Sequence, residues 1–179
     1  DMENIYRTYV QDPVLVAKYD AAREKWKLAS VGKPSPDFKG VDVNGKEYTL
    51  ADFRGKYVYI DVWATWCGPC RQEIPYLKKL DEDYKDAQIV FLSLSVDQDK
   101  AKWEKMVKEQ SMSGVQLHIG QNSSFQQAYK IEGIPHFILL DREGRIIDKK
   151  MSRPSMDEVT RERIENLEYY NDHEWEKIR

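Results

Sequence analysis

Tyr57-Val-Tyr-Ile-Asp-Val-Trp-Ala-Thr-Trp-Cys67-Gly68-Pro69-Cys70 joins an almost unbroken apolar run to the only two cysteines of the 179-residue chain. The run from Tyr57 to Ala64 is apolar on both faces, as a central strand requires. A helix opening at Gly68 puts Cys67 at its N-terminus, where free N–H groups and the macrodipole favour a thiolate. Cys70 stands one turn on and faces the same side. Residues i and i+3 of a helix lie about 5 Å apart at Cα, inside the range a disulfide accepts, so the pair can open and close with little backbone movement. The pattern points to dithiol redox chemistry that needs no cofactor.

Other uses of two cysteines fit less well. Covalent haem attachment needs His after the second Cys, and Arg71 stands there. A structural zinc site needs four ligands, and His118, His136 and His173 show no ligand-like pairing beside the thiols. An inert buried pair stays open as the bland alternative. The net charge of −3 and a pI near 5.7 argue against a nucleic-acid partner, and short basic pairs such as Lys78-Lys79 and Lys149-Lys150 read as solvated faces. No apolar run approaches the roughly 18 residues of a membrane span. The chain opens at Asp1 with no initiator Met or signal-peptide pattern, so a mature or trimmed fragment is expected.

Outside the motif, strand and helix signals alternate, as an α/β frame requires. Asp12 and Pro13 mark a helix start, with Leu15, Tyr19, Ala22 and Trp26 along one face. Residues 1–31 therefore form a helical extension, either packed on the catalytic unit or ending a removed upstream domain, and 32–179 form the main domain. Val31-Gly-Lys-Pro-Ser-Pro36 reads as a linker, because its prolines and glycine oppose helix and strand. Val41 to Tyr48 is a hairpin turning at Asn44-Gly45. Gly68 to about Tyr84 is the helix after the motif, with a kink expected at Pro75. Strands follow at Gln88–Val96 and Val115–Ile119, and helices at Asp99–Gln110 and Ser123–Tyr129. His136–Leu140 and Arg145–Lys149 form a second hairpin. Ser155 and Glu158 form a capping-box pair before a C-terminal helix with an apolar face of Met156, Thr160, Ile164 and Leu167. The stretch after Asn171 is too polar to place.

Asp61 to Cys70 resembles the active-site stretch of the thioredoxin superfamily, and Gly133-Ile134-Pro135 resembles its Gly-x-Pro loop. Pro36-Asp37-Phe38, the Val41–Tyr48 hairpin and Leu50-Ala-Asp-Phe-Arg-Gly-Lys56 are similar to the N-terminal elaboration of thiol-disulfide oxidoreductases of the TlpA and ResA type, which are membrane-anchored or periplasmic. The resemblance spans about Gly32 to Arg153. It implies a thioredoxin-like fold: a central mixed β-sheet flanked by helices, with an N-terminal hairpin elaboration and extra helices at both ends. It also implies a location in the periplasm or cell envelope, disulfide-bearing client proteins and an upstream thiol protein as electron donor.

Chemistry and resemblance together assign roles. Cys67, at the helix start, is the expected nucleophile with solvent access; Cys70, a turn deeper, is the resolving thiol. Asp61 falls six residues before Cys67, where thioredoxin-like proteins carry a buried acid that takes the Cys70 proton, and burial would raise its pKa toward neutrality. Thioredoxins often place a Lys in the next strand, but Phe91-Leu-Ser-Leu-Ser95 holds no cation. The resemblance further implies a cis bond before Pro135 and a substrate-binding surface of Trp66, Gly68, Pro69, Ile134 and Pro135. His136, where Thr is usual, is expected to point to solvent. Gly68-Pro69 matches reducing relatives, so a reductase is expected. Two alternatives remain. A peroxiredoxin-related peroxidase shares Pro36-Asp37-Phe38 but would need Pro and Thr where Ile60 and Ala64 stand, and a non-catalytic binding module would use Trp66, Ile134 and Pro135 without needing both thiols.

Overall fold

The computed structural model describes residues 12–27 and 29–167 of the chain. Its elements are α1 (Pro13–Lys27), β1 (Gly40–Val41), β2 (Glu47–Tyr48), a 3-10 turn (Leu50–Phe53), β3 (Tyr57–Trp63), α2 (Gly68–Asp83), β4 (Ile89–Ser95), α3 (Lys100–Glu109), β5 (Val115–His118), α4 (Ser124–Tyr129), β6 (His136–Leu140), β7 (Ile146–Asp148) and α5 (Asp157–Glu165). One mixed sheet runs β2-β1-β5-β4-β3-β6-β7. β3 lies inside it, parallel to β4 and antiparallel to β6. All seven of its residues are buried, as the doubly apolar run requires.

Alternation along β3 sends its side chains to two cores. Tyr57 and Tyr59 join Phe91 of β4 and Phe137 and Leu139 of β6 beneath Leu77 and Leu80 of α2 and Ile164 of α5. Val58, Ile60 and Val62 point the other way, into a cluster with Phe38, Phe53, Trp103 of α3 and Phe125 of α4. Cys70, Glu73, Leu77 and Leu80 form the buried stripe of α2, spaced by three or four residues as one helix face demands.

Local signals set many boundaries as expected. Asp12 Oδ1 accepts the Val14 N–H at 2.8 Å, and the Asp99 and Ser123 side chains cap α3 and α4. At the first hairpin, Gly45 takes φ +82° and donates its N–H to the Asp42 carbonyl, while Asp42 Oδ1 accepts from Asn44 and Lys46. Pro75 lies within α2, which continues through it.

Three expectations change. The 31–36 stretch is no loose linker: the Gly32 N–H bonds the Ile146 carbonyl at 2.8 Å, the Ile146 N–H bonds Lys33, and Pro34 bridges Arg145. Local residues predicted its irregular backbone but not its partner. The Ser155/Glu158 capping box does not form, since Met156 is the N-cap and Ser155 spends both N–H and Oγ–H on Glu73 of α2, at 2.9 and 2.8 Å. Met156 is accordingly 50% exposed, whereas Thr160, Ile164 and Leu167 are buried. On α1, Leu15 is 48% exposed and Ala22 is exposed. The Trp26 side chain and the stretch after Asn171 lie outside the described residues.

Candidate active site

The two cysteines meet where β3 hands over to α2. Cys67 is the N-cap of α2, with extended backbone, and its Sγ accepts the Cys70 N–H at 3.2 Å. A helix N-terminus thus supplies a donor to sulfur. The two sulfurs are joined in a disulfide of 2.09 Å, and the Cα atoms stand 5.2 Å apart. Cys67 is 5% exposed and Cys70 2%, so the expected solvent access of Cys67 is confined to a small window. Trp66 beside it is 69% exposed, Pro69 is exposed and Gly68 half-buried. The Ile134–Pro135 bond is cis, and the Ile134 carbonyl oxygen lies 3.7 Å from Cys67 Sγ. Trp66, Gly68, Pro69, Ile134 and Pro135 therefore sit on or beside the two loops that meet at the dithiol.

Asp61 pairs with Ser93 of β4 and Phe137 of β6, and strand alternation puts it on the face of Tyr59, under the helix that carries Cys70. It is 4% exposed. Burial pushes its carboxyl up to about 8; a hydrogen bond from Ser93 pulls it down and the charge of Glu73 pushes it up. The Ser93 hydroxyl lies 3.5 Å from Oδ2, and Oδ1 has no hydrogen-bond partner among the described residues. His136 is half-buried: its Nε2 donates to the Lys149 carbonyl at 2.7 Å, and burial lowers its pKa.

Near the dithiol, two buried acids besides Asp61 escaped the sequence-based expectations. Glu73, 4% exposed, accepts from Ser155 and lies 3.9 Å from the Arg153 guanidinium. Its place three residues after Cys70, on the buried stripe of α2, was a usable signal. Asp97, 2% exposed at the end of β4, had no local signal. Among the described residues, no group of three or more His, Cys, Asp or Glu side chains is placed to hold a metal.

Fold and site together define a thiol-disulfide oxidoreductase of the thioredoxin-like class, carrying a Cys-x-x-Cys pair. Residues 30–167 match the Redoxin family, and the chain belongs to it. It is 29% identical over 135 residues, 75% of each chain, to the thiol-disulfide oxidoreductase ResA of Bacillus cereus. It is similar to the solution structure of a Bacteroides vulgatus protein assigned as a thiol-disulfide oxidoreductase, with 52% identity, a TM-score of 0.69, and coverage of 79% of this chain and 93% of that one. The thioredoxin domain of another Bacteroides vulgatus thiol-disulfide oxidoreductase is 30% identical at a TM-score of 0.67, covering 77% of this chain and 97% of that one.

An acid held protonated by burial contributes stability that is present below its unfolded pKa of about 4 and is lost as pH rises through the folded value. With that value at about 8, the oxidised protein should lose stability from pH about 4 to about 8, and Asp61→Asn should flatten this slope. Urea unfolding of both proteins across this range checks it. An unchanged slope would show that Asp61 is not held protonated.

Proposed function

We propose that this oxidoreductase works as a reductase of protein disulfides, with Cys67 attacking, Cys70 resolving and Asp61 taking the Cys70 proton. The observation that carries the reading is the Cys70 N–H directed at Cys67 Sγ from the first turn of α2. The Cys67 thiolate attacks one sulfur of a client disulfide, breaking that S–S bond and releasing one client thiol once it gains a proton. The Cys70 thiol then yields its proton to Asp61 and attacks Cys67 Sγ, which releases the second client thiol. The client gains two electrons, and Cys67–Cys70 becomes the disulfide present in the structure. A donor thiol protein reverses this last change.

Reducing direction is supported by Gly68-Pro69, the dipeptide of reducing relatives. A substrate surface formed by Trp66, Gly68, Pro69, Ile134 and Pro135 is supported by the exposure of Trp66 and by the approach of the Ile134 carbonyl to Cys67 Sγ. Resemblance to the TlpA and ResA type supports work in the periplasm or cell envelope. No helix among the described residues is long and apolar enough to cross a membrane. Residues 1–31 are read as an appendage to the catalytic unit of 32–179.

Redox titration of the pair should give a midpoint nearer about −270 mV than about −120 mV. A midpoint above about −180 mV would reject the reductase in favour of an oxidase or isomerase. Cys70→Ser should accumulate covalent client complexes on non-reducing gels, whereas Cys67→Ser should not; the opposite result reverses the two roles.

Asp61→Asn should slow resolution of the mixed disulfide by about tenfold to a hundredfold while sparing the first attack. Because the carboxylate is the active form, the wild-type resolution rate should climb with pH through about 8, and the variant should lose that rise. Stopped-flow reduction of a model disulfide separates the steps, and equal slowing of both would remove Asp61 from this role.

A further inference from the structure

The turn that delivers Cys67 has an anchor outside the dithiol motif. After Trp63 the chain turns once, with the Cys67 N–H on the Ala64 carbonyl at 3.1 Å, before Cys67 caps α2. Thr65 lies inside this turn, and both of its polar hydrogens go to one carboxylate. Its N–H lies 3.0 Å from Asp97 Oδ2 and 3.2 Å from Oδ1, and its hydroxyl donates to Oδ1 at 2.6 Å. Ser95 Oγ donates to Oδ2 at 2.7 Å and accepts the Asp97 N–H at 3.1 Å, closing a ring that fixes the carboxylate. His118 Nε2 donates to the Asp97 carbonyl at 2.7 Å and ties in the end of β5.

A carboxylate that is 2% exposed survives burial only because such donors surround it. A neutral side chain would fill this space at lower cost, so the charge calls for a use. Thr65 supplies two of the three donor groups and is itself part of the connection that ends in Cys67. Trp66, the other residue inside the turn, is 69% exposed and gives the turn little packing to hold it.

We propose that Asp97 is a positioning residue for thiol-disulfide exchange: through Thr65 it holds the Ala64–Cys67 turn, and so keeps the Cys67 sulfur against the Cys70 N–H in the first turn of α2. The proposal rests on Cys67 being the attacking thiol. The benefit a helix N-terminus gives to a thiolate fades within about one turn, so a loosened connection weakens the thiolate before it unfolds anything. Misplacement of the sulfur by a fraction of an ångström also lowers the share of productive encounters with a client disulfide.

The test uses Cys70→Ser as parent, so that thiolate absorbance and mixed-disulfide formation both report on Cys67 alone. Thr65→Val removes the hydroxyl donor and leaves the Asp97 charge in place, so a change in thiol pKa reports position and not charge. It should raise the Cys67 thiol pKa by about half a unit or more and slow attack on a model disulfide at neutral pH about three- to tenfold. Thr65→Ser, which keeps the donor, should restore both. Asp97→Asn leaves one acceptor oxygen for three donor groups and should slow attack at least as much as Thr65→Val. Unchanged pKa and attack rate in Thr65→Val, whatever happens to its melting temperature, would reduce Asp97 to a structural residue and overturn the proposal. So would a loss that Thr65→Ser fails to restore. A parent that forms no mixed disulfide overturns the assignment of Cys67 and the anchor with it, whereas a parent that reacts no faster than Thr65→Val overturns the anchor alone.

Discussion

Between Trp63 and Gly68 the chain has four residues in which to convert a buried strand into a helix whose first sulfur keeps an N–H donor. Neither side of this junction can shift to accommodate the other. β3 is hydrogen-bonded to β4 and β6 along its length, so a slip of one residue would drive Asp61 into the opposite core and Ile60 into its place. α2 is held by Cys70, Glu73, Leu77 and Leu80, and a rotation would expose all four together. The dithiol geometry is thus imposed from both ends, and the Ala64–Cys67 turn absorbs whatever mismatch remains.

Three buried carboxylates surround this junction, and their surroundings differ in a way that separates their chemistry. Asp97 gathers Thr65 and Ser95 donors. Glu73 has two hydrogen bonds from Ser155 with Arg153 nearby. Asp61 has one long bond from Ser93 and an oxygen with no partner among the described residues. A buried charge is tolerated in proportion to the donors that replace water, and Asp61, with the fewest, is driven toward its neutral form. Asp61 is also the one on the face beneath the Cys70 helix, where a group that exchanges a proton near neutral pH is useful to a resolving thiol.

The segment from Lys150 to Ser155 shows how a remote part of the chain enters this arrangement. Met151 donates its N–H to Phe137, the β6 partner of Asp61, and the Ser152 carbonyl accepts the Tyr59 hydroxyl at 2.6 Å. Just beyond, Arg153 and Ser155 reach Glu73. The stretch closes the polar end of the α2 face much as Leu77, Leu80 and Ile164 close its apolar end.

Features governed by neighbours in sequence were legible in advance. The doubly apolar run made β3 central, the i, i+3 spacing made the disulfide possible, and Asp12, Asp99 and Ser123 marked helix starts, because periodicity and capping act over a few residues. The roles of Ser155 and of residues 31–36 were misjudged for the converse reason. Their local propensities favour a cap and an irregular connection, but Glu73 lies 82 residues from Ser155 and Ile146 lies far along the chain from Gly32, and each long-range partner outcompeted the local one. Asp97 and Thr65, 32 residues apart, carry no pattern that pairs them. By itself the sequence determined the chemistry, since two cysteines at helical spacing after a buried strand admit little else. Only the tertiary structure decided that Glu73 and Asp97 join Asp61 around that chemistry and what holds its turn, because the cost of a buried carboxylate depends on donors brought from distant parts of the chain and not on its neighbours in sequence.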